Sequence, residues 1–168
     1  MGFPWRSPET PLPQWRRADQ WRESMETLFR RILETVGIED AAARDIAASF
    51  CGAYLDPGSW RLFDDTEECL EELSRRGHVH RILSNHVPEL PQIVGRLGIA
   101  GRFEAVTTSA LIGWEKPRPE AYRTALEGVK DLSQVVMVGD SYTSDVAGAM
   151  GAGRGRRPAG MLRCFPAR

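Results

Sequence analysis

The sequence predicts an α/β fold, a Rossmann-like parallel sheet with an N-terminal helical cap, and three observations carry that expectation. From about residue 58 onward, short apolar runs alternate with stretches of helical periodicity, the pattern of parallel strands joined by crossover helices. The run Val135-Val136-Met137-Val138 stops abruptly at Gly139-Asp140, and Asp145 follows. This reads as a buried strand that carries one acid into the crevice at the carboxyl ends of the sheet, where open α/β sheets bind ligands, with a second acid alongside. Before residue 58, two successive helical stretches break the alternation, and they read as an inserted cap.

The elements follow in order. Residues 1–14 contain Pro4, Pro8, Pro11 and Pro13 and are expected to form a tail or irregular connection, because proline cannot donate to a hydrogen-bond ladder. Trp15, Ala18, Trp21, Met25, Leu28, Phe29, Ile32, Leu33 and Val36 recur at spacings of three and four, and Gly37 closes the helix. A second helix is expected from Asp40 to Leu55, with Ala43, Ile46, Ala47, Phe50 and Tyr54 on one face and Asp56-Pro57-Gly58 after it. Together, residues 15–57 form the expected cap and residues 58–153 the core.

Within the core, Asp64, Asp65 and Thr66 offer caps for a helix that runs to Arg76 and ends at Gly77. Val79–Leu83 reads as a strand, Glu89–Leu97 as a helix ending at Gly98, and Phe103–Thr107 as a second strand. Pro119 opens a helix through about Glu127, proline being tolerated in the first turn. Val135–Val138 is the third strand. Gly151, like Gly37 and Gly98, is expected to terminate a helix.

Composition narrows the function classes. A net charge of −1 points to neither nucleic acid nor an anionic membrane as partner. Cys51, Cys69 and Cys164 are odd in number and show no CxxC spacing, which argues against a disulfide framework and for a cytoplasmic location. No apolar run approaches membrane-spanning length. His78 and His80 share one strand face but have no acid or cysteine at ligand spacing, so zinc is not expected. Oligomeric state is not legible.

The candidate site residues fall in three places. Ser84-Asn85 follows a strand, where a hydroxyl and backbone N–H groups can hold an anion. Lys116 lies in Glu115-Lys116-Pro117-Arg118-Pro119-Glu120, a loop stiffened by two prolines that can fix an ammonium over developing negative charge. Asp140 and Asp145, with Ser and Thr oxygens between them, make a hard-oxygen set suited to Mg²⁺. Strand-end Asp and Ser also serve as helix N-caps.

In this order and spacing, the set resembles the haloacid dehalogenase superfamily of hydrolases, most of them phosphatases. Ile82-Leu83-Ser84-Asn85 looks like the family's second motif, Lys116 its third, and Gly139-Asp140 through Asp145 its fourth. The resemblance covers residues 58–153 closely and the helices of 15–57 more loosely. It implies a Mg²⁺-dependent hydrolase of small phosphorylated metabolites. Ser84 and the Asn85 backbone would hold the phosphoryl group, and Lys116 would neutralise phosphate and nucleophile. Asp140 would bind Mg²⁺ directly; Asp145 would bind it directly or through water, or orient Lys116. Such an assembly suits phosphoryl transfer, which is mostly positioning and charge stabilisation.

Two departures accompany the resemblance. Family members open with a strand ending in Asp-x-Asp, whose first aspartate attacks to form an aspartyl-phosphate. That motif should precede residue 15, where Glu9 is the sole acid. Asp64-Asp65-Thr66 lacks the spacing and is read as a helix cap. After Gly153 the family continues with an apolar strand, whereas residues 154–168 hold five arginines and two prolines and are expected to form a basic irregular tail. The first, central strand and the last strand are therefore expected to be missing, in a truncated or inactive form with little activity alone. A non-catalytic metal- or phosphate-binding module and a 2-haloacid dehalogenase are the alternatives.

Overall fold

The computed structural model describes residues 18–153. The expected Pro-rich and basic segments at either end lie outside these residues. Helix α1 (Ala18–Thr35) and helix α2 (Asp40–Leu55) form an antiparallel hairpin. Alanines make the close approach possible: Ala43 and Ala47 are 0% and 2% exposed and, with Met25 at 6%, form the hairpin's own small core. Phe29 and Phe50 pack with ring centroids 4.1 Å apart, adding an aromatic contact to that seam. Helix α1 ends as expected at Gly37, which takes φ +88°, while Gly37 and Ile38 donate back to the Glu34 and Leu33 carbonyls. That is the doubly bonded helix stop for which glycine is suited.

A short 3₁₀ turn, Pro57–Ser59, leads into helix α3 (Thr66–Arg75). Asp65 occupies the N-cap position of α3 without a side-chain cap bond, so the expected carboxylate cap is not made. Glu67 and Glu68 in the first turn supply negative charge at the helix N-terminus instead.

Strands β1 (Arg81–Ser84) and β2 (Ala105–Thr108) pair in parallel, in the register Arg81 to Ala105 through Ser84 to Thr108. Helix α4 (Leu90–Arg96) makes the crossover and packs on this sheet. Leu90, Val94 and Ile99 are buried, with Leu62, Ile82, Leu97, Phe103 and Val106 against them. Full burial of each such side chain contributes roughly 1.5–3 kcal/mol. Beyond β2, the short helix α5 (Ser109–Ile112) precedes helix α6 (Pro119–Ala125), and Arg81 ties the sheet to it by donating to the Ala125 and Glu127 carbonyls at its end.

The third expected strand is not formed among the described residues. Val135–Gly139 is unpaired, with Val136 and Val138 41% and 61% exposed. The sheet of the described residues is β1–β2 alone, and Val135–Val138 pairs with neither strand. Ser84 and Asp140 consequently do not stand on neighbouring strand ends. Gly151 also departs from expectation. It lies inside helix α7 (Gly148–Ala152), which follows a π-helical segment, Tyr142–Ala147.

Candidate active site

The chain turns sharply after each strand, and polar side chains fix both turns. At the end of β2, Thr108 (1% exposed) donates to the carbonyls of His86 (2.5 Å) and Val87 (3.0 Å). The Ser109 hydroxyl accepts the His86 N–H at 3.2 Å. The loop after Ser84 is therefore held by groups too deeply placed for water to replace.

Asn85 reaches across to the lysine loop. Its amide nitrogen donates to the Lys116 carbonyl at 2.9 Å and its amide oxygen accepts the Lys116 N–H at 2.7 Å. From there the Lys116 ammonium donates to Asp145 Oδ1 at 2.5 Å. This ion pair is nearly enclosed, with the two side chains 11% and 4% exposed. The second Asp145 oxygen accepts the Ser141 N–H at 2.9 Å, and Ser141 Oγ accepts the Ser144 N–H at 3.1 Å. The reciprocal bonds form a cap at the start of the π-helical segment and leave the Asp145 carboxylate satisfied on both oxygens. π-Helical turns recur at functional sites.

Tyr122 and Gly148, which the sequence did not single out, bring the two loops together, and Gly139 joins them there. Tyr122 is buried in α6, and its hydroxyl donates to the Ser144 carbonyl. Burial, reinforced by the Asp145 charge, pushes the Tyr122 phenol up to about 12. A Cβ on Gly148 would collide with the Tyr122 hydroxyl and would lie 2.7 Å from Pro117 Cβ, and one on Gly139 would collide with the Asp145 carboxyl. Both glycines are thus places where backbone comes against the site, a signal that sequence periodicity does not contain. Beside Lys116, burial pushes the Glu115 carboxyl up to about 7, with Arg118 opposing the shift. The Arg118 guanidinium lies 5.2 Å from the Trp114 ring centroid.

Of the expected site residues, Asn85, Lys116 and Asp145 come together in one network. Ser84 ends β1, part-buried, at the base of the same loop, and Asp140 is exposed between Gly139 and Ser141. Among the described residues, no three His, Cys, Asp or Glu side chains are grouped to hold a metal ion.

Comparison with known proteins matches residues 13–153 to the haloacid dehalogenase-like hydrolases. The chain belongs to this family. Among curated relatives, the phosphoserine phosphatase of Thermus thermophilus is 36% identical over 144 residues, covering 79% of this chain and 56% of its own. The chain spans about half the length of the curated relatives it matches. Among solved structures, the magnesium-bound HAD-hydrolase YfnB of Bacillus subtilis superposes with TM-score 0.61 at 22% identity, over 84% of this chain and 68% of that one. The L-2-haloacid dehalogenase of Xanthobacter autotrophicus with chloropropionic acid covalently bound gives TM-score 0.55 at 25% identity, over 81% and 51%. The α/β architecture expected for a HAD-like hydrolase is therefore the one this chain adopts. Among the described residues, no helix is long and apolar enough to cross a membrane.

Proposed function

We propose that this hydrolase carries the phosphate- and metal-binding half of a phosphatase site for small phosphorylated metabolites. The observation that carries the reading is the enclosed Lys116–Asp145 pair, held from the other side by Asn85. A cation kept at fixed position in a part-buried site meets phosphoryl oxygens without reorganising, and such preorganised charge is where much of the catalytic gain of phosphoryl transfer arises. Ser84 and the Asn85 main chain would hold the phosphoryl oxygens, and Lys116 would neutralise them.

Asp140 and Asp145, with the Ser141 and Thr143 hydroxyls, are hard-oxygen donors of the type that Mg²⁺ takes. Bound there, the ion would add positive charge beside the phosphoryl group. Asp140, exposed and at the loop tip, is the better placed of the two to ligate directly, since Asp145 already accepts from Lys116 and from Ser141. The phosphatase names among the curated relatives support a phosphorylated substrate. The acid pair favours the phosphatase reading over the dehalogenase one, because halide displacement needs no metal.

The attacking carboxylate of the family chemistry has no counterpart in the sequence: no Asp-x-Asp occurs in the 168 residues. We therefore expect residues 1–168 alone to bind Mg²⁺ and inorganic phosphate but to turn over little substrate. Calorimetry on the folded chain tests the first half, and failure to bind either ion would sink the reading. Robust Mg²⁺-dependent hydrolysis of p-nitrophenyl phosphate that vanishes in Asp140→Ala would overturn the second half.

A further inference from the structure

The family resemblance places Asn85 at the phosphate through its main chain and leaves its side chain without a task. We infer that the Asn85 side chain is the positioning group for Lys116, which places Asn85 in the site twice over. The inference rests on reading Lys116 as the cation that meets the phosphoryl oxygens.

The geometry is specific. Both ends of one carboxamide are spent on one residue: the oxygen takes the Lys116 N–H at 2.7 Å and the nitrogen gives to the Lys116 carbonyl at 2.9 Å. These two bonds fix the lysine's own peptide groups, and they span a separation of 31 residues. A carboxamide carries a donor and an acceptor side by side, whereas aspartate keeps only the acceptor and serine is too short. The far end of the lysine is fixed by Asp145 at 2.5 Å. Lys116 is thus pinned at its root by the loop after β1 and at its tip by the π-helical segment. Removing the root clamp frees the loop to carry the ammonium away from Asp145. Asn85 itself is anchored, because the next residue, His86, is bonded at its N–H by Ser109 and at its carbonyl by Thr108.

The sequence supplies an internal reference for the test. Lys116 and Lys130 are the chain's two lysines; the first side chain is 11% exposed, and Lys130 is exposed. Amine acetylation followed by mass spectrometry therefore reads Lys116 protection against Lys130 in the same molecule. In the wild-type chain Lys116 should react far more slowly than Lys130. Asn85→Ala should raise the Lys116 rate about tenfold, the scale of one to two lost hydrogen bonds, and leave Lys130 unchanged. Asn85→Asp, which keeps the acceptor for the Lys116 N–H, should fall between them and serves if the alanine variant fails to fold. In an Asp145→Asn background, Asn85→Ala should add little, since the tip is already free. An unchanged Lys116 rate in a folded Asn85 variant, or full additivity with Asp145→Asn, overturns the inference.

A second arm separates this inference from the functional reading. Inorganic phosphate binding should weaken in Asn85→Ala and in Lys116→Ala, with no further loss in the double variant. Equal weakening by Asn85→Ala with and without Lys116 would mean that the amide meets the anion directly, and would overturn the positioning role. Absence of phosphate binding to the wild-type chain, with the acetylation pattern as expected, would instead remove the functional reading and leave the positioning of Lys116 standing.

Discussion

Asp145 is an acid enclosed to 3% exposure, and its partners decide whether that is tolerable. With the Lys116 ammonium and the Ser141 N–H in place its charge is compensated; with the lysine removed it is a buried anion on one amide. Breaking one partner of a buried pair typically costs about 3–5 kcal/mol, whereas removing both leaves no orphaned charge. Lys116→Met should therefore lower stability to urea by about 3 kcal/mol, and adding Asp145→Asn to it should recover part of that loss. A single-variant loss below about 0.5 kcal/mol, the usual size of a solvated surface change, would mean the pair is not enclosed in solution. Glu115 gives a prediction in pH. Its carboxyl is pushed up to about 7 by burial, so between its unfolded value near 4.5 and about 7 the folded chain holds a proton that the unfolded chain has lost. Stability from this group is thus full below the unfolded value and falls as pH rises through that window. The carboxyl is partly exposed, so solvent screening reduces the loss to about 1 kcal/mol. Glu115→Gln should flatten the wild-type decline between those limits when urea midpoints are compared across pH; parallel profiles would refute the assignment. Lys116 and Asp145 were legible in the sequence because each stands at a fixed offset from a local landmark, a proline-stiffened loop and an apolar run ending in Gly-Asp. The use of the Asn85 side chain was not, since it depends on two loops meeting across 31 residues.

At the scale of elements, helix ends were the most legible feature. Gly37 and Gly77 take φ +88° and +87° two residues past their helices, because the αL stop is a local event that a glycine after a periodic run announces. Val135–Val138 shows the opposite case. Four apolar residues satisfy the pattern of a buried strand, but a strand exists only through a neighbour's N–H and C=O groups, and among the described residues no strand lies beside these four. The π-helical segment was illegible for a related reason: Tyr142–Ala147 is held by the Tyr122 hydroxyl on its Ser144 carbonyl and by the packing of Gly148. Two glycines of the following helix separate packing from propensity. At Gly148 an added methyl meets Tyr122 and the Pro117 ring and backbone, none of which can yield cheaply. Gly148→Ala should cost about 1–3 kcal/mol despite alanine's better helix propensity. At Gly151 nothing lies within 4 Å, so Gly151→Ala should stabilise by up to about 1 kcal/mol. Thermal midpoints of the two variants should move in opposite directions, and a shift of the same sign in both would show that the close approach at Gly148 is not maintained.

Among the described residues, two apolar clusters are joined by polar and aromatic contacts. Met25, Ala43 and Ala47 are buried in the helical hairpin, and Leu90, Val94 and Ile99 in the sheet layer. Between them, Arg22 donates to Glu89 Oε1 at 3.1 and 2.7 Å, Arg96 donates to the Leu55 carbonyl at 3.0 Å, and the Tyr54 hydroxyl meets His86 Nε2 at 3.1 Å. The Trp60 ring lies against both Tyr54 and His86, with centroids 5.1 and 5.3 Å away. Burial holds His86 below its ordinary pKa, which favours the neutral ring, and its Nδ1 is buried without a partner. Among the described residues, the Tyr54 bond is therefore the one side-chain bond that compensates this imidazole, and His86 sits immediately beside Asn85. The Arg22–Glu89 pair is half open to water on the arginine side, at 46% exposure, and exposed pairs contribute about 0–1 kcal/mol. The contacts of the hairpin to the sheet layer should thus be governed by Tyr54 more than by Arg22. Tyr54→Phe removes one hydroxyl, keeps the ring stack, and leaves a second imidazole nitrogen unpaired, a loss of about 1–2 kcal/mol. Native-state hydrogen exchange should then show faster opening of amides in α1 and α2, by about fivefold to thirtyfold for a loss of that size, with β1, β2 and α4 unchanged. Arg22→Ala should give a smaller acceleration confined to the same helices. Equal acceleration in the strands would mean that hairpin and sheet layer open as one unit; no acceleration in Tyr54→Phe would mean that the apolar contacts around Trp60, not the polar ones, join the two clusters.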